Sequence, residues 1–490
     1  MNCEVGAGFE DNFDELLHGT YRNLGNYDDG FSRGPNADAK NLNRLVNEGK
    51  QELYPGCKKF SRLSFIVRLY FLNCAHEITE AAFGELLQLI KEAFPDAHLP
   101  SSFNDAKNVI KDLGLHYQKI HACPNDCMLY WLENKNKDAC KKCGLSRWIS
   151  VEKKSTSEDS EKVIRKVPAK VMRYFPLKPR LQRMFISKEY SKLMTWHAVG
   201  RKKDGKLRHP ADTEAWKIMD RLYPKFTSEY RNISLGISVD GFSPYRSMNL
   251  SHSTWPIVLI NYNIPPWLSM KPENLILSTL IPGTNDPGNN IYVYMKPLIR
   301  DLKDLWNVGL ETYDVMADQN FRMHASVLWT ISDFPGYAML SGWSTKGKLA
   351  CPICHFETSS MYLKHSRKVC YMNHIKFLDP NHKWRMDKKR FNREVEMGDC
   401  LAPLSGREIE ELLCDYENNF GKKKKKQKDK TGSPFKKKSI FFELPYWSEN
   451  LLRHNLDVIH IEKNICDIIL GTLLNIGGKM KDHVSAHYDL

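Results

Sequence analysis

Two cysteine pairs, Cys123-x3-Cys127 and Cys140-x2-Cys143, constrain this chain more than any other feature. Thiols at both ends of a short hairpin can close a tetrahedral site without a large core around them. Between them MLYWL reads as a strand and ENKNKD as a turn. Residues 119–150 are therefore expected to form a small ribbon-like module holding Zn2+ on Cys123, Cys127, Cys140 and Cys143. Four protein thiolates leave no coordination position open, so the expected role is structural. Lys141, Lys142, Arg147 and Trp148 beside it fit a nucleic-acid contact and a solvated basic edge equally well. The 13 cysteines and their CxxC spacing point to a reducing compartment. The opening MNCEVGAGFEDNFDELL is acidic and lacks the apolar run of a signal peptide. No stretch approaches the roughly 20 apolar residues of a membrane span.

A chain of 490 residues with 42% hydrophobic side chains exceeds one core and predicts several domains. Lysine and arginine number 72 against 58 acidic residues, a basic balance that favours a polyanion partner, most often nucleic acid. Residues 1–55 are acidic, rich in Gly, Asn and Asp, and read as a disordered leader. Residues 56–118 are helical: Thr79 is placed as an N-cap before the stripe Phe83, Leu86, Leu87, Ile90 and Phe94, which Pro95 stops. A second helix carries Ala106, Val109, Ile110 and Leu113. The pair fits a packed αα-hairpin and a DNA-reading helix-turn-helix. Residues 151–170 are polar and charged and read as a linker.

From residue 171 onward the pattern is α/β. RNISLGISVDGF, STWPIVLINY and LILSTLI read as strands, YMKPLIRDLKDLW as a helix, and ASVLWTISDF as a further strand. That order predicts an α/β layer with mixed pairing. Asp240 and Asp333 each close an apolar strand, the placement that aims a carboxylate into a ligand crevice. Carboxylates converging from separate elements can hold paired Mg2+ (or Mn2+) ions, and Glu462 is the candidate third acid. Each aspartate also fits a simple turn cap. Cys351-Pro-Ile-Cys354 is half a zinc site, and His454 with His460 is the expected other half; a hydrogen bond to Asp457 is the competing role for His460. Residues from about 355 to 440 read as a basic insertion. Its lysine run at 421–438 fits nuclear import, a phosphate contact or a solvated loop. Ile461, Ile465, Ile468, Ile469 and Thr472 form a helical stripe near the end.

Six stretches carry a resemblance: KFSRLSFIVRLYFLN, KIHACPNDCMLYW, VMRYFPLKPRLQRMF, ISVDGFSPY, TISDFPGYAMLSGWSTKGKLACPIC and LRHNLDVIHIEKNICDIILGTLLN. Over about residues 54–480 the chain resembles the transposases of plant CACTA (En/Spm) mobile elements. The resemblance implies an RNase H-like core over residues 171–490 with an acidic triad interrupted by an insertion. It implies Asp240 and Asp333 as the first two acids, with Glu462, or a later residue such as Asp482, as the third. It implies zinc on Cys351, Cys354, His454 and His460, as in the similar recombinase of antigen-receptor gene assembly. It also implies a nuclear protein acting on terminal inverted repeats of DNA, as a homo-oligomer when active, with a second element-encoded DNA-binding protein as a further partner. Family members usually continue further, so a shortened chain is expected, and a catalytically inactive or domesticated DNA-binding protein is the alternative function.

Overall fold

The computed structural model describes residues 51–489 except 58–59, 76–77, 113–116, 153–163, 243–252, 284–285, 373, 390–394, 422–432, 475 and 477–487. The expected leader therefore lies almost wholly outside the described residues, as do Leu113, Asp482 and most of the lysine run. The chain divides into two compact units, one up to Leu328 and one from Trp329.

The first unit opens with three helices, α1 (Arg62–Ala75), α2 (Glu80–Ala93) and α3 (Phe103–Asp112). The Thr79 hydroxyl accepts from Ala82 N at 3.2 Å, the cap that fixes the start of α2. Phe83 and Leu87 are buried with Ile66, Leu69 and Ala106, and Phe103 stacks on Tyr70 at 5.6 Å between centroids. The helices share a core, as a packed hairpin requires.

A sheet follows, built from β1 (Gln118–Ala122), β2 (Leu129–Tyr130), β5 (Val171–Tyr174), β6 (Ile233–Val239), β7 (Ser253–Asn261) and β8 (Ile276–Gly283). Its order is β6-β7-β8-β5-β1-β2, with antiparallel pairing throughout. β3 (Trp148–Glu152) and β4 (Ile164–Pro168) pair as a separate hairpin, so the segment expected to be a linker is strand at both described ends. The cysteine hairpin is likewise part of the sheet, because β1 pairs with β5 and β5 with β8. The backbone hydrogen bonds of Ile120 and Met172 join what composition separates at 151–170.

A helix, α4 (Ile291–Asn307), buries Ile291, Tyr292, Val293, Met295, Leu298, Ile299, Leu302 and Leu305. The Tyr174 hydroxyl, on β5, donates to the Asp301 carboxylate on α4 at 2.6 Å. β9 (Leu310–Asp314) and β10 (Gln319–Met323) form another hairpin. β11 (Ala325–Ser332) begins in this unit beside β6 and ends in the next. Its continuous burial matches a strand covered on both faces.

In the second unit the end of β11 runs parallel to β14 (His454–Leu456), with Thr330 opposite His454 and Ser332 opposite Leu456. Pairing is thus mixed, as the sequence pattern predicts. α5 (Phe334–Ser341) follows β11. The chain then makes a long excursion through a ribbon, β12 (Ser359–Leu363) with β13 (Lys368–Met372), and a short helix, α6 (Gly406–Leu412). Tyr337, Trp343, Ile409, Leu413 and Phe435 share one core. α7 (Val458–Leu473) follows β14.

Candidate metal centres and strand-end acids

Cys123 lies just past β1, and Cys127 just before β2. Asp126, at φ +59°, and Gly144, at φ +74°, turn the two knuckles. In each knuckle a backbone N–H faces sulfur at 3.4 Å: Asn125 N to Cys123 Sγ, and Lys142 N to Cys140 Sγ. The four sulfurs lie within 4.8 Å of one another, and all four thiols are free. A tetrahedral Zn–S site needs S···S separations of about 3.8 Å, so the cluster could bind a structural metal such as zinc. Burial pushes the Cys123 thiol up to about 11. Burial opposes ionisation of Cys143 too, but the Leu145 N–H and the neighbouring thiols outweigh it and bring that thiol down to about 7. The Asp126 carboxylate pairs with Lys170 at 2.5 Å and accepts from the Tyr294 hydroxyl, which anchors the first knuckle to α4.

The second centre differs from the expected one. Cys351, Cys354 and His374 bring their ligand atoms within 4.8 Å, with His374 Nε2 at 3.8 Å from Cys351 Sγ. Cys354 N points at Cys351 Sγ at 3.4 Å, an N–H···S contact one residue further along the chain than those of the first centre. Neither His454 nor His460 is in the group. His454 Nδ1 instead bonds the Thr330 hydroxyl at 2.8 Å, and its ring packs edge-on against Tyr337, Phe441 and Trp447. Burial, with Arg453 and Lys437 nearby, lowers its pKa to about 3. His460 is exposed on α7, and its backbone N–H, rather than its ring, bonds Asp457 at 3.2 Å. The third candidate ligand was not legible in the sequence because it lies 20 positions beyond Cys354, on the far side of the ribbon. Its signal is a histidine two residues past the second strand of a ribbon whose first strand starts five residues after Cys354.

The acids sit at strand ends as expected. Asp240 follows β6, is exposed, and its Oδ1 accepts from Gly241 N at 2.7 Å. Asp333 follows β11 and caps α5, its Oδ1 accepting from Gly336 N at 2.7 Å. Glu462 is exposed in the first half of α7. Asp457, which sequence reading treats only as a partner of His460, follows β14 and caps α7. Its backbone N–H donates to Ser332 O at 2.8 Å. Since Ser332 and Leu456 are paired in a parallel ladder, Asp333 and Asp457 occupy the next positions on neighbouring strands.

The fold and site define a mixed α/β protein with a four-cysteine cluster in its sheet that could hold a structural metal and acids at its strand ends. Residues 204–415 match the family model described as Transposase family tnp2, and this match supports a transposase. The matched stretch contains Asp240, Asp333 and the Cys351–Cys354–His374 cluster. No curated protein matches the chain. No described helix is long and apolar enough to cross a membrane.

Proposed function

We propose that the chain is a CACTA-type (En/Spm) DNA transposase with an RNase H-like core, cutting phosphodiester bonds at element ends and joining the freed 3′-hydroxyls to a target. The tnp2 match, over the stretch that holds Asp240 and Asp333, carries the reading. The element order supports it: a three-strand meander, a buried helix, a strand closing on an acid, an excursion, then a short parallel strand and a helix. Mg2+ (or Mn2+) ions, when bound, would lower the pKa of the attacking water or hydroxyl and stabilise the leaving oxygen. Asp240 and Asp333 would supply their carboxylates from the ends of β6 and β11. Glu462 is the third acid expected from the resemblance. Asp457 competes for that role because the ladder puts it beside Asp333.

The test is nicking of duplex DNA carrying the element ends, by purified full-length protein with Mg2+. Asp240→Asn and Asp333→Asn should each abolish nicking and spare DNA binding. Nicking that survives either change overturns the assignment. Glu462→Gln and Asp457→Asn then assign the third acid by which of them abolishes cutting. Salt-sensitive binding without any cutting by the unaltered chain would favour the inactive, domesticated DNA-binding protein. Nuclear localisation, with the 421–438 lysines as import signal or DNA contact, belongs to the same proposal.

A further inference from the structure

The ribbon β12–β13 projects from the second metal centre: β12 starts five residues after Cys354 and β13 ends two residues before His374. The Tyr371 hydroxyl ties it to Gly347 O at 2.9 Å. Its tip is the four-residue turn Lys364-His365-Ser366-Arg367, closed by the pair Leu363–Lys368 and by Arg367 at φ +54°. Lys364, Arg367 and Lys368 are exposed there. Across residues 359–389 eight lysines and arginines face two aspartates, a strong local excess of positive charge.

The tip already holds an anion. The Asp489 carboxylate accepts from His365 N at 3.0 Å, from Ser366 N at 2.8 Å and from the Ser366 hydroxyl at 2.5 Å. Successive backbone N–H groups converging on one anion form a nest, the arrangement that also receives phosphate oxygens. The Tyr488 ring lies 5.5 Å from the His365 ring, so the acid arrives with an aromatic neighbour against the turn. A carboxylate supplied by the chain itself stands where a phosphate oxygen can sit, and the same turn and its closing pair carry the exposed Lys364, Arg367 and Lys368.

We infer that the tip of the β12–β13 ribbon is a contact for the phosphate backbone of DNA, and that Asp489 occupies its nest in competition with phosphate. The inference rests on the DNA-acting reading and adds a surface to it. Phosphate contacts position a protein on the duplex without reading sequence, and a two-stranded ribbon is narrow enough to follow a groove. No strand-end acid takes part, so the contact is separable from the cutting chemistry.

The experiment compares the full-length chain with the triple variant Lys364→Ala/Arg367→Ala/Lys368→Ala and with Asp489→Ala, titrated onto a random-sequence DNA duplex at several salt concentrations. The triple variant should bind about tenfold more weakly near 0.1 M salt, with the slope of log K against log[salt] shallower by about 2 to 3. Asp489→Ala should bind several-fold more tightly. Zinc content equal to that of the unaltered chain shows that the base of the ribbon is intact. Triple-variant binding equal to wild type, or weaker binding with an unchanged salt slope, overturns the inference and leaves the proposed function standing. An unaltered chain that binds no DNA overturns both. An acidic peptide that competes as well as DNA of equal charge makes the tip a protein-docking surface and overturns the inference alone.

Discussion

Asp333 performs a structural task whatever else it does: its carboxylate caps α5 through Gly336 N. Removing an N-cap costs about 1 kcal/mol, and asparagine caps as well as aspartate. Asp333→Ala should therefore lower the unfolding free energy by about 1 kcal/mol, whereas Asp333→Asn should leave it unchanged, as read by denaturant titration. Both should lose nicking, so the asparagine variant isolates the charge. Buried imidazoles give a second prediction. Burial lowers His197 and His209 to about 4 and His454 to about 3, from 6.5. The unfolded chain takes up these protons below pH 6.5 while the folded chain does not, so their contribution is complete above 6.5. It is lost as pH falls towards 4, by up to about 1.4 kcal/mol per pH unit for each histidine. Melting temperature followed from pH 7.5 to 4.5 should fall below 6.5; a flat profile would contradict the burial of these rings. The strand-end aspartates were legible because a strand's end is visible in local pattern. His374 was not, because its place depends on how a ribbon folds back.

Glycine conformation sets the prediction for elements. Gly342 ends α5 at φ +81°, and a Cβ there would collide with the Lys437 carbonyl oxygen. Gly347 has φ +92° with open space around it. Gly347→Ala should cost only backbone strain, about 1 kcal/mol, and Gly342→Ala clearly more; chemical unfolding of the two variants ranks them. The strands β2, β6, β7, β8 and β11 and the long helix α4 lie where the sequence pattern puts them, because hydrophobic patterning is a local signal. The stripe on α7 was equally legible, yet Ile468 is 61% exposed and Ile465 and Ile469 are each 51% exposed. Among the described residues this helix shows its apolar side chains to solvent. Periodicity announces that a face wants a partner and leaves the partner unnamed. The segment 151–170 misled for the opposite reason: its described ends belong to β3 and β4, which pair antiparallel with Ile149 opposite Val167, although its composition is that of a linker.

Two units, each with its own cysteine centre, make the metal prediction one for the whole molecule. Elemental analysis should find two zinc ions per chain, one lost in Cys123→Ser and a different one in Cys351→Ser. A single zinc removed by both changes would refute two separate centres. Loss of the first should destabilise the sheet unit, because Asp126 links that knuckle to Lys170 and Tyr294. What residue order alone conveys about this protein is the strands β2, β6, β7, β8 and β11, the helices α2, α4 and α7, the acids at strand ends and the first thiol cluster. Each of these arises from neighbours within a few residues, where hydrogen bonding and hydrophobic period act directly. Folding in three dimensions settled the rest: His374 beside Cys351 and Cys354, His454 packed among aromatic rings, Asp457 beside Asp333, and the cysteine hairpin as the sheet's edge. Those pairings join residues tens to more than a hundred positions apart, and long-range packing leaves no periodic trace along the chain.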